Sequence, residues 1–143
     1  MSRARTITGA ARAVARLAKQ VEVALAPIDL SLPQYRVLAL LGEGSTASSV
    51  LARRLAVSPP SVTAVVDGLV GRKLVERRAD PEDRRRLTLL LTRDGAKLLA
   101  AADAAAESHL DEIAGYFDTP PTGLDAWNLA LDRKREARLE QDR

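Results

Sequence analysis

Apolar residues recur at three- and four-residue spacing from Ile7 through Ala10, Ala11, Val14, Leu17, Ala18 and Val21 to Leu25, which predicts a long amphipathic helix ended by Pro27. Ser31-Leu32-Pro33-Gln34 then combines a capping hydroxyl, a first-turn proline and a glutamine three residues on. That is a capping box for a helix reaching about Leu41, and Gly42 and Gly44 open the turn after it. A short helix is expected from about Ala47 to Leu55, capped by Ser45 or Thr46, with Val50, Leu51 and Leu55 inward and Arg53 and Arg54 outward. Only Ala56-Val57 separates it from Ser58-Pro59-Pro60, which opens a fourth helix. Its Val62, Val65, Val66 and Leu69 form one apolar stripe, and it ends near Arg72.

The period then changes. Leu74-Val75-Glu76-Arg77-Arg78 reads as a strand, Asp80-Pro81 as a turn, and Leu87, Leu89 and Leu91 alternate with Thr88 and Leu90 as a second strand. Thr92 can cap a further alanine-rich helix running to about Phe117. Residues Asp118-Thr119-Pro120-Pro121-Thr122 break it, and a last helix carries Leu124, Trp127, Leu131, Ala137 and Leu139. The fold class expected is mainly α with a small β-hairpin wing. A winged helix-turn-helix over residues 31–95 is flanked by long helices in 1–30 and 96–143, all in one compact chain.

Composition agrees. Of the 143 residues 46% are apolar and only 3% aromatic, so the core must be built from Ala, Leu and Val, which suits helix packing. Cysteine is absent, which excludes disulfides, thiol nucleophiles and thiolate metal sites. The lone histidine, His109, lies mid-helix without a companion acid–base set, so neither catalysis nor a metal site nor a cofactor is expected. No apolar run is long enough for a membrane span and no signal-peptide core follows the first basic residues, so a cytoplasmic protein is expected. Arg3, Arg5, Arg12, Arg16 and Lys19 precede the first acid, Glu22, a pattern that a membrane-surface or targeted helix also shows.

The net charge of +3 conceals a segregation that matters more. Residues 72–86 hold seven cations against four acids, and residues 103–143 hold five against ten. One part of the chain is suited to a polyanion while the rest keeps clear of it. Arg84, Arg85 and Arg86 at the hairpin tip are costly to hold together unless something negative faces them, and phosphate is the commonest such partner.

The runs Leu32-Pro33-Gln34-Tyr35-Arg36-Val37-Leu38, Val57-Ser58-Pro59-Pro60-Ser61-Val62-Thr63 with Val66-Asp67-Gly68-Leu69, and Asp80-Pro81-Glu82-Asp83-Arg84-Arg85 ending in Leu91-Thr92 stand in an order and spacing that resemble the MarR family of bacterial transcriptional regulators. The resemblance is nearly end to end. It implies a homodimer paired through its terminal helices, with the helix from Pro59 in the major groove of double-stranded DNA and the wing in an adjacent minor groove. The family's wing arginine falls on Arg85 and its acidic partner on Asp83, whose carboxylate can fix the arginine rotamer. Arg84 and Arg86 are then expected on phosphates, as are Arg53, Arg54, Arg72 and Lys73. Pro60, Ser61, Thr63 and Ala64 face the bases. Ala64 stands where relatives often carry arginine, which leaves Ser61, Thr63 and a thymine-methyl contact from Ala64 as specificity elements, though first-turn capping also accounts for the two hydroxyls. Asp67 is expected to pair with Arg77 or Arg78.

Lys73 replaces the family's usual glycine, so either Gly71 takes up the turn or Lys73 is strained. The family's effector pocket implies Tyr35, His109 and the region of Ala10 to Val14 as its lining, while the missing cysteine excludes the thiol-sensing branch. The function expected is a sequence-specific regulator, a ligand-responsive repressor on a pseudo-palindromic operator. The other reading is a dimeric winged-helix protein-interaction module that has lost specific DNA reading, which the short side chains at Ala64, Gly68 and Gly71 motivate.

Overall fold

Capping hydroxyls at Ser31, Ser58 and Thr92 set three of the helix starts. The computed structural model describes residues 2–116, 123, 133–134 and 136–141, residues 2–9 by their backbone alone. Helices α1 (Ser2–Leu25), α2 (Leu32–Gly42), α3 (Ser48–Leu55), α4 (Pro59–Gly71) and α5 (Arg93–Ala114) are joined by a 3-10 turn at Ala26–Ile28 and by strands β1 (Thr46–Ala47), β2 (Val75–Ala79) and β3 (Leu87–Leu91). Ser31 Oγ accepts from the Gln34 N–H at 3.2 Å, and Gln34 Oε1 accepts from the Ser31 N–H at 3.0 Å, the reciprocal capping box expected. Ser58 Oγ accepts from the Ser61 N–H at 3.3 Å. Thr92 Oγ1 accepts from the Gly95 N–H at 3.0 Å while donating to the Lys73 carbonyl at 2.7 Å, so one hydroxyl caps α5 and fastens it beside the entry to β2.

Three of the ends share a device. Asp29, Ala56 and Lys73 each adopt left-handed backbone, with φ of 53°, 55° and 61°. Past Lys73 the chain closes by Lys73 N–H to Val70 O at 2.9 Å and Leu74 N–H to Leu69 O at 3.0 Å, the paired bonds of a Schellman motif. Ala56 and Val57 form the same pair with Arg53 and Ala52, both at 3.2 Å, and this makes the tight turn between α3 and α4. Of the two alternatives at the wing junction, the strained Lys73 is therefore the one adopted.

The hairpin is part of a three-stranded antiparallel sheet in the order β1-β3-β2. Thr46 pairs with Leu89 and Ala47 with Thr88, so neither Ser45 nor Thr46 caps α3; Ala47 occupies that position without a side-chain bond. The sheet wins because β3 would otherwise present an unpaired backbone edge beside the α3 entry. Leu89 and Val75 are buried, whereas Leu87, nearer the tip, is 45% exposed.

The core unites Leu25, Val37, Leu38, Leu51, Val62, Val66, Leu69, Val75 and Leu89, branched aliphatics from both helices and sheet, and among the described residues no aromatic is fully buried. Two compact units are distinguished, Met1–Leu110 and Asp111–Arg143. In the second, α5 ends at Ala114, short of the expected Phe117, and Ala137 and Leu139 lie in helix. Phe117, the break at 118–122, Leu124, Trp127 and Leu131 lie outside the described residues.

Candidate nucleic-acid interface

Because Val62, Val66 and Leu69 are buried, the remainder of α4 is turned outward: Pro60, Ser61, Thr63, Ala64, Asp67, Gly68 and Gly71 are all exposed. Its polar groups are largely committed. The Ser61 hydroxyl lies 2.8 Å from that of Ser58, and the Thr63 hydroxyl donates to the Pro59 carbonyl at 3.0 Å. Asp67 accepts from Arg77, one of its two expected partners, which ties β2 of the wing to α4. Arg78 turns instead to Glu76 at 3.2 Å.

The wing tip is ordered by its own backbone. Asp80 N–H bonds the Arg86 carbonyl and Arg86 N–H the Asp83 carbonyl, both at 2.9 Å, closing the loop between β2 and β3. Asp80 Oδ1 accepts from the Glu82 N–H at 2.9 Å, and Asp83 Oδ1 from the Arg85 N–H at 3.0 Å. Asp83 thus braces Arg85 through the main chain, not through the guanidinium as expected. An Asx turn satisfies the carboxylate locally and leaves the arginine head free.

The cations divide into two groups that sequence alone did not separate. Arg54 is paired with Glu43 at 2.6 Å, and Arg72, though exposed, donates to the Asp29 carbonyl at 2.6 Å and to Gln34 Oε1 at 3.5 Å, so both of these expected phosphate contacts already have partners on the chain itself. Arg36, not singled out before, donates to the Leu55 carbonyl at 2.9 Å. Arg53, Lys73, Arg84, Arg85 and Arg86 are exposed, and among the described residues their side chains make no hydrogen bond or ion pair. No short-range pattern marks which arginine has a carbonyl waiting 43 residues away.

Of the residues expected around an effector, Tyr35 donates to Asp103 Oδ1 at 2.5 Å, joining α2 to α5. Burial, then the bond to Asp103 and the charges of Asp103 and Glu107, push its phenol well above the ordinary tyrosine range. His109 Nε2 lies 2.8 Å from Gln20 Oε1, joining α5 to α1, and Val14 is 57% exposed on α1. Asp103 and Gln20 are the partners that sequence reading did not name. A separate hollow of about 170 Å³ sits beside α4 against Pro33, Arg36, Leu55, Val57 and Val65.

A family model described as MarR family matches residues 28–86. An uncharacterized HTH-type transcriptional regulator of Bacillus subtilis (strain 168) is 37% identical over 93 residues, which cover 64% of this chain and 60%, under two thirds, of that relative's length. Another, from Mycobacterium leprae (strain TN), is 35% identical over 112 residues, 78% of each chain. The solved structure of a transcriptional repressor, CouR, bound to a 23-mer DNA duplex, is similar with a TM-score of 0.72 and 28% identity, over 91% of this chain and 89% of that one.

Proposed function

The chain belongs to the MarR family of transcriptional regulators, and on that premise we propose that it acts as a sequence-specific repressor binding double-stranded DNA. Two copies would read a pseudo-palindromic operator whose half-sites lie about one helical turn apart. The observation that carries this reading is the wing tip. Its loop is fixed by backbone bonds while Arg84, Arg85 and Arg86 project with no anionic partner among the described residues, which is a surface arranged for phosphates and a narrow groove. Arg85 enters the minor groove, Arg84, Arg86, Arg53 and Lys73 meet phosphates, and α4 presents Pro60, Ser61, Thr63 and Ala64 to the major groove. The likeness to a repressor solved on DNA supports this assignment.

Homodimerisation is supported by apolar side chains that a single chain leaves in water, Val14 at 57% and Val23 at 48% on α1. A small-molecule effector would act through α5, where Tyr35 and His109 connect α2 and α1 to that helix; it can shift the two recognition helices only by its differential affinity for two spacings. Among the described residues no helix is long and apolar enough to cross a membrane, and the cytoplasm is the compartment proposed. The short-side-chain face of α4 favours a second reading, a dimeric protein-interaction module. A gel shift on DNA from upstream of the protein's own gene separates the two: binding at a stated salt concentration no tighter than to random sequence removes the regulator reading.

A further inference from the structure

Reading guanine in the major groove requires a side-chain donor aimed at O6 and N7, and reading adenine a paired donor and acceptor. Helix α4 carries no Arg, Lys, Asn or Gln from Pro59 to Gly71. Its hydroxyls face one another or the backbone: Ser61 is engaged with Ser58, and the proton of Thr63 goes to the Pro59 carbonyl at 3.0 Å. With its proton so committed, exposed Thr63 offers a base edge only acceptor lone pairs and a methyl, and Ala64 a methyl alone. A methyl contact works only within about 4 Å, so the helix must seat deeply. Gly71 would meet nothing if it carried a Cβ, and Gly68 only Gln34 Nε2 at 3.8 Å, so the interior of the protein does not require either glycine. Both leave the outer face of the helix bare.

We infer that α4 reads the 5-methyl groups of thymine through Thr63 and Ala64, so that each half-site is selected for thymines at the bases these two residues face. The inference rests on the DNA-binding reading above and names its specificity. It also separates the helix from the wing, because thymine and uracil are alike in the minor groove.

The test uses the full chain. Duplexes enriched from a random library are remade with deoxyuridine at each thymine in turn, and binding is measured by fluorescence anisotropy. At one or two thymines per half-site, uracil is expected to weaken binding about fourfold, the worth of one buried methyl. Thr63→Ser, which keeps the hydroxyl, should abolish the penalty at one thymine. Thr63→Val, which keeps the methyl, should retain it, and Ala64→Gly should abolish it at the other. Enriched duplexes indifferent to uracil at every thymine would overturn this inference while leaving the regulator intact. So would a penalty lost in Thr63→Val and kept in Thr63→Ser. Failure to enrich any sequence overturns the DNA-binding reading itself, and this inference with it.

Discussion

The carbonyl oxygen of Leu74 lies 2.0 Å from the point where a side chain on Gly95 would begin, so the first turn of α5 is pressed onto the entry to the wing. Alanine is favoured over glycine in a helix by about 1 kcal/mol. Here that preference is overruled, because the obstacle is backbone and no rotamer can relieve it. Gly95→Ala is expected to destabilise by about 1–3 kcal/mol, read as a lower midpoint in thermal or urea unfolding. A midpoint at or above that of the parent chain would show that the two segments can separate freely.

Lys73 provides the opposite sign. Its left-handed backbone at φ 61° costs a side-chain-bearing residue about 1 kcal/mol that glycine does not incur. Lys73→Gly should therefore raise stability by about 0.5–1 kcal/mol. The same change removes an exposed cation beside the wing and should lower DNA affinity and its salt dependence. Calorimetry and a salt titration on one sample should move in these opposite directions.

Tyr35 predicts an alkaline effect. Its raised pKa means that the folded protein holds the phenolic proton more tightly than the unfolded chain does. The stability that results is whole below about pH 10, where unfolded tyrosine titrates, and is lost as the pH climbs toward the folded value. Tyr35→Phe should cost about 1 kcal/mol near neutrality through the missing bond to Asp103. Above about pH 10 the difference between the two proteins should narrow. Urea unfolding across that range checks it, and a constant gap would mean the phenol does not titrate as described.

Neighbouring arginines should behave differently. Arg53 is exposed and without a partner among the described residues, while Arg54 holds Glu43. Arg53→Ala should reduce the slope of log affinity against log salt by about 1. Arg54→Ala should appear chiefly in stability, by about 0.5 kcal/mol, since such a pair is partly screened by solvent. Arg85→Ala should weaken specific binding by about 1–3 kcal/mol. Equal salt slopes for all three variants would erase the division between free and partnered cations.

Much of this was legible along the chain because its causes are local. The starts at Ser31, Ser58 and Thr92 are settled within four residues, as is the stripe that buries Val62, Val66 and Leu69. The Asp67–Arg77 pair could be foreseen because the turn at Lys73 brings β2 back against α4 and only ten residues separate the two. What stayed hidden depends on distant partners. Strand β1 is two residues long and exists because β3 offers it an edge, and Arg72 finds a carbonyl 43 residues earlier. The mode of bracing by Asp83 was missed for another reason: an aspartate at a turn can satisfy either a side chain or a main-chain N–H, and its spacing is the same in both cases.

With β3 in the middle, β1 and β2 are the two outer strands of the sheet, and β2 is the longer, five residues against two. Along β2, Val75 is buried while Glu76 and Arg78 stand in water as mixed charges. A second sheet edge approaching it would have to strip those charges of solvent, so edge-to-edge aggregation is discouraged. The wing can remain extended and uncovered in a crowded solution without becoming a template for the growth of fibrils.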